Sequence, residues 1–247
     1  MSKNKERRQA AALYQSVSRL AYSSLPAADD ARDFQSGHED TPITDDILAA
    51  SRELSCVLGS SSHRPRELTK MKKFRFQLLH RWMIDHLEPC RVADVGGGKG
   101  LLAYLLQQSG WPATVIDPIR QALPTKYKDL TTNRQVYIAE TEQVPRIDQP
   151  FEPGMARDFD LLVAVHAHGC NIQLMDAAAQ FHCGFITLPC CVIDEPIYPP
   201  AGTHWLQCVV DYAVRRGFRV EPFRLNFKGQ NIGLYAAAGK RTGDGLP

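Results

Sequence analysis

The sequence has no run of about 18 consecutive apolar residues, so nothing in it reads as a transmembrane helix. Its opening, MSKNKERRQA, lacks the apolar stretch of a secretory signal. The expectation is a cytoplasmic protein, with organelle import left open. An excess of one charge is also missing: 29 Lys and Arg against 27 Asp and Glu leave a net charge of +2, too mild to imply a nucleic-acid partner by itself. The cysteines number seven and include the adjacent pair Cys190 and Cys191. An odd count in a chain of this size argues against a disulfide framework and for reduced thiols. What remains is an ordinary composition, 44% hydrophobic and 23% charged over 247 residues, enough to bury one sizeable core.

Four regions follow from the patterning. Residues 1–40 are polar, with a helical candidate around Lys5 to Leu20 and a linker after it, and read as a flexible basic arm appended to the fold. Residues 41–88 read as a helical cap. It contains the capped helix TPITDDILAASRELSCVLG and then a stretch in which Arg64, Arg66, Lys70, Lys72, Lys73, Arg75 and Arg81 interleave with Phe74, Phe76 and Trp82. From residue 89 to 240, short apolar strands alternate with helices: RVADV, ATVID, VYIAE, FDLLVAVHA and GFITLPC, with helices at LLAYLLQQS, after Pro118, at NIQLMDAAAQF and at HWLQCVVDYAVRRG. That alternation predicts a doubly wound parallel sheet, an α/β fold. FRVEPFRLNF and QNIGLYAAAG, separated only by a turn at Lys228 and Gly229, must pair antiparallel. The sheet is therefore seven-stranded and mostly parallel with a C-terminal hairpin. Residues 241–247 read as a disordered tail.

The most informative stretch is RVADVGGGKGLLAYLL, where a buried strand turns into a helix through Gly96, Gly97, Gly98 and Gly100. So much bare backbone lets a ligand lie directly on the chain. A dinucleotide fingerprint G-x-G-x-x-G is absent, since position 101 is Leu101. Lys99 suggests phosphate, but G-x-x-x-x-G-K-[ST] is absent too. The spacing present is D-x-G-x-G-x-G. With the terminal hairpin, this resembles the class I S-adenosylmethionine-dependent methyltransferases over roughly residues 70 to 240. The resemblance implies a Rossmann-like methyltransferase fold with S-adenosyl-L-methionine as cofactor. On it, Asp94, Gly96, Gly97, Gly98 and Gly100 hold the methionine portion. Asp117 in VIDP takes the ribose hydroxyls, and Glu140 or Glu142, after the third strand, lies near the adenine. His166, after the fourth strand, borders cofactor and acceptor.

Methyl transfer from a sulfonium needs alignment above all, and a base only when the acceptor must lose a proton. Acceptor chemistry is read at the carboxyl ends of the fourth and fifth strands, here HAHGCN and LPCC. The amino-methylating motif [DNS]-P-P-[YFW] is missing, which argues against base-amino methylation. In one reading His166 or His168 is a general base for a hydroxyl or ring nitrogen. HAHG with PCC resembles a group carrying His-x-Cys-Gly and Cys-Cys that includes tRNA ribose 2′-O-methyltransferases, although His168 stands where that group has Cys. In a second reading, ranked lower because its fourth-strand motif is missing, Cys190 or Cys191 attacks C6 of a pyrimidine. His166, His168, Cys170, His182, Cys183, Cys190 and Cys191 gather near strand ends, and such donors suit zinc. Their spacing matches no C-x2-C knuckle, and buried cysteines and satisfied core histidines account for the same residues. No metal is assigned.

RNA is the preferred acceptor, because basic residues interleaved with aromatics suit phosphate contact and base stacking. A small-molecule acceptor under a helical cap is the alternative, as is a methyltransferase-like scaffold protein without turnover. Oligomeric state is not legible. The loop DEPIYPPAGTHW is expected to shape acceptor choice in any case.

Overall fold

The structure, a computed structural model, describes residues 3–23 and 72–239. Its elements are α1 (Lys3–Ser23), a short 3-10 turn (Lys72–Phe74), α2 (Arg75–His86), β1 (Val92–Val95), α3 (Leu101–Gln108), β2 (Ala113–Ile116), β3 (Lys126–Lys128), β4 (Gln135–Tyr137), β5 (Arg146–Ile147), a 3-10 segment (Pro153–Asp158), β6 (Leu161–Val165), α4 (Asn171–Phe181), β7 (Gly184–Leu188), α5 (Trp205–Arg215), β8 (Glu221–Arg224) and β9 (Ile232–Ala236). Seven strands form one sheet in the order β5-β2-β1-β6-β7-β9-β8. All its pairings are parallel except those of β9, which runs antiparallel to β7 and β8. This is the class I methyltransferase fold that the sequence resembles, with the strand order reversing at β1 and β6.

Alternate residues of the central strands feed two cores. Ala93, Val95, Ile116, Leu162, Ala164 and Phe185 face α4 and α5, while Val92, Val115, Val163, Val165, Ile186 and Leu188 face α2 and α3. A sheet buried on both faces reads as continuous apolar strands, which is why β1, β6 and β7 were legible.

Four expectations are corrected. The helix α1 is no appendage: Val17 and Ala21 are fully buried in the core that contains α5, and the Tyr14 hydroxyl donates to the Pro222 carbonyl, 3.1 Å. A stripe of Leu13, Val17, Leu20 and Ala21 at helical spacing gave that face away. Next, VYIAE is not the third parallel strand. Its β4 pairs antiparallel with β3 in a separate two-stranded sheet, and the third place is filled by β5, beside β2. Two residues are too few for periodicity to reveal. Then, no helix follows Pro118. Pro118 and Pro124 leave only the segment 119–123 between them, too short to nucleate one. Last, two aromatics of the basic stretch are spent internally: Phe76 packs against the core, and Trp82 stacks on Phe223 with ring centroids 3.9 Å apart. The helix expected within 41–59, residues Arg64, Arg66 and Lys70, and the tail 241–247 lie outside the described residues.

Candidate functional site

The glycine turn follows β1 at the carboxyl edge of the sheet. Gly96 has φ of +65°, a conformation side chains resist, and a Cβ there would sit 2.7 Å from the Ala167 Cβ. Gly97 is required for a different reason: its Cβ would lie 2.5 Å from Asp94 Oδ2. The turn thus rests on the Asp94 carboxyl. Asp94 is 1% exposed, and neither of its oxygens meets a donor at hydrogen-bonding geometry among the described residues. Burial pushes its pKa up to about 7; nearby Asp117 adds to the rise, while the Ala103 backbone N–H and Arg146 oppose it. A buried carboxyl with no well-formed hydrogen bond is costly, and it suits a cationic or hydrogen-donating ligand.

Asp117 ends β2 beside this turn and is also buried. Its oxygens accept the Gly98 N–H at 2.9 Å and the Ile119 N–H at 2.8 Å. Its primary structural work is therefore to staple the glycine turn to β2. Each carboxylate oxygen has a second lone pair, so a ribose diol can still be accepted. Gly100 precedes α3 and receives the Tyr104 N–H on its carbonyl, 2.9 Å.

Beside these groups lies a cleft of about 470 Å³ lined by residues including Lys99, Arg120, Leu123, Ile138, Glu140 and Glu142. Glu140 and Glu142 do not follow the third parallel strand, yet the β3–β4 hairpin carries both to this cleft. Arg146 forms its inner wall, donating to the Gly98 carbonyl at 2.9 Å, the Ile119 carbonyl at 3.2 Å and Asp148 at 3.2 Å. Sequence reasoning missed Arg146 and Asp148 because β5 was not recognised.

His166 follows β6 with φ of +57°. Its Nε2 lies 3.0 Å from the Gln230 carbonyl, so that nitrogen carries the proton. Nδ1 is buried. The side chain ties the end of β6 to the turn between β8 and β9. His168, by contrast, is exposed and meets Cys190 and Cys191; one ligand atom from each lies within 4.8 Å of the others. Burial raises the Cys170 thiol pKa, with Glu195 and Asp117 adding. The seven His and Cys residues expected together do not all meet. His182 and Cys183 precede β7 and stand at the opposite sheet edge, where the Cys183 thiol donates to the Ala156 and Phe159 carbonyls.

The loops after β6 and β7 are laced together. Glu195, 3% exposed, accepts the Asn171 and Ile172 N–H groups at 3.0 and 3.2 Å and caps the N-terminus of α4. The Asn171 amide also donates to Glu195 and accepts the Thr187 hydroxyl. Gly169 N–H reaches the Ile193 carbonyl, 3.1 Å. A carboxylate at a helix N-terminus is favoured by its partial positive charge. Nothing in the sequence marked Glu195 for this, since the helix it caps starts 24 residues earlier.

No protein-family model matches the chain. Over 104 residues, 42% of the chain, it is 32% identical to a protein of Caenorhabditis briggsae named as a probable tRNA (uracil-O(2)-)-methyltransferase. Proteins of the same name match from Caenorhabditis elegans at 30% identity over 153 residues, 56% of the chain, and from Homo sapiens at 28% over 142 residues, 52% of the chain. The matched stretches span only 18%, 26% and 17% of those relatives' own lengths. Among solved structures, a glycopeptide N-methyltransferase complexed with S-adenosylhomocysteine overlaps 76% of this chain and 98% of its own, with a TM-score of 0.41 and 13% identity.

Proposed function

We propose that this chain is the donor-binding and catalytic part of an S-adenosylmethionine-dependent methyltransferase whose acceptor is RNA, as the names of its curated relatives suggest. The observation that carries the donor half is Asp94, whose two buried oxygens make no well-formed hydrogen bond among the described residues and are held under a turn that tolerates no Cβ at Gly96 or Gly97. The donor supplies an electrophilic methyl group on a sulfonium. The chain's own contribution is to bind and orient. The Asp94 carboxylate suits an ammonium group, the backbone at Gly96 to Gly98 permits close approach, and Asp117 offers its remaining lone pairs to a vicinal diol. The cleft with Glu140, Glu142 and Ile138 offers polar and apolar surface for a planar base.

On the acceptor side, the tied loops after β6 and β7 present His168, Cys190 and Cys191. The proline-rich loop that follows exposes Tyr198 (73%), and Ile193 just before it is exposed too (53%). An exposed aromatic ring on the loop that follows Cys190 and Cys191 suits a stacked base. It favours RNA over a small acceptor, which would call for an enclosed pocket.

The test is incubation of the purified protein with methyl-labelled donor and unmodified tRNA, followed by nuclease and alkaline digestion. The expected result is label in RNA. A methyl group on a ribose 2′-oxygen would leave the adjoining linkage resistant to alkali, and one on a base would not. Donor binding without transfer to any RNA would overturn the acceptor half, and absence of donor binding would overturn the whole reading.

A further inference from the structure

We infer that His168, Cys190 and Cys191 form a zinc-binding site. The sequence spacing hid it, because the three donors come from two loops and two of them are adjacent residues. The fold brings one nitrogen and two sulfurs within 4.8 Å of one another, and the two Sγ atoms are 3.6 Å apart. Two Zn–S bonds of about 2.3 Å at a tetrahedral angle place their sulfurs about 3.8 Å apart. A disulfide needs about 2.05 Å. The thiols therefore already stand close to the separation a shared ion requires.

Two further observations fit. His168 is exposed and both cysteines are half-buried, so an ion can reach the donors from solvent. The network of Glu195, Asn171 and Thr187 holds the two loops against each other, which fixes the donors before an ion arrives. Two thiolates neutralise a divalent ion, their protons passing to solvent.

Three protein ligands leave one tetrahedral position open, the pattern of zinc sites that take part in chemistry rather than closed structural ones. If methyl transfer is the activity, an acceptor hydroxyl can fill that position and lose its proton more easily. That clause rests on the proposed function. Ion binding itself does not.

The test uses the full chain, purified under reducing conditions without chelator. Elemental analysis should find about one zinc per chain in the wild type, and that equivalent should be missing from Cys190→Ser and Cys191→Ser. Cobalt titration of the metal-stripped wild type should give sulfur-to-cobalt charge-transfer bands and the intense visible bands of a tetrahedral site. His168→Ala, a change at an exposed residue, should weaken cobalt affinity by at least about tenfold. The inference is overturned if wild-type protein binds no zinc and shows no charge-transfer band, or if Cys190→Ser retains the full zinc content. Should a serine variant fail to fold, the wild-type cobalt spectrum and His168→Ala still decide. Titration with S-adenosylhomocysteine separates the two proposals: zinc without donor binding upholds the site and sinks methyl transfer, and donor binding without zinc does the reverse.

Discussion

Asp94 offers the sharpest test of the donor pocket, because its burial has a definite energetic signature. Its pKa rises from 3.8 to about 7, about 3 units, which at 1.36 kcal/mol each is about 4 kcal/mol. The sign follows from proton linkage. Between pH 4 and pH 7 the folded chain holds a proton on Asp94 that the unfolded chain has released, so stability falls as pH rises through this window. Above pH 7 the full penalty of an ionised, buried carboxylate is present. Asp94→Asn cannot ionise. Its stability difference from wild type should therefore change by up to about 4 kcal/mol in favour of the variant between pH 4 and pH 8, measured by denaturant unfolding without ligand. Binding of a ligand ammonium reverses the preference, since it stabilises the charged carboxylate. Calorimetric affinity of the wild type for S-adenosylhomocysteine should thus fall by up to about tenfold for each pH unit below 7. Asp94→Asn should bind weakly and without that slope. Parallel stability profiles for the two proteins, or equal affinities, would refute both the burial argument and the placement of the donor.

Other changes probe the surrounding frame. Gly97→Ala places a methyl group 2.5 Å from Asp94 Oδ2 and 2.9 Å from the Asp94 carbonyl, so S-adenosylhomocysteine titration should show loss of binding in a protein whose circular dichroism remains folded. Asp117→Ala removes the acceptor of two backbone N–H groups and should lower unfolding free energy by about 1–3 kcal/mol and abolish donor binding; unchanged affinity would remove Asp117 from the site. Glu195→Ala strips the cap from α4 and should cost about 1–3 kcal/mol in denaturant unfolding, with transfer to RNA falling more than donor affinity because the acceptor loops lose their tie.

Legibility in the sequence followed how local each signal was. β1, β6 and β7 are runs of apolar residues buried on both faces, and the glycine turn sits between a readable strand and a readable helix, so Asp94 and its glycines could be placed from spacing alone. The hairpin of β8 and β9 was legible because only a short turn separates its strands. By contrast, β5 has two residues and earns its place only through pairing with Val115 and Ile116, while VYIAE has the stronger strand composition and pairs elsewhere. Propensity lost to tertiary context there. The tie between the loops after β6 and β7 was hidden for the same reason. Glu195, Asn171 and Thr187 are ordinary polar residues in sequence and become a network only when β6 and β7 lie side by side.

The missing helix after β2 ties these findings together. In a doubly wound sheet that connection is ordinarily helical, and here Pro118 and Pro124 prevent it. The backbone groups of Gly98 and Ile119 are satisfied by Arg146 and by the Asp117 carboxylate instead. The wall of the cleft beside the glycine turn is consequently built from side-chain hydrogen bonds to irregular backbone rather than from helical packing. Arg146, with only 10% of its side chain exposed, bridges the turn, the segment after β2 and Asp148 on β5's edge. Arg146→Lys keeps the charge but cannot reach all three partners from one fork. It should weaken S-adenosylhomocysteine binding by at least about tenfold while the far-UV signal of the sheet is unchanged, and an unaffected titration would show that the cleft holds its shape without this bridge.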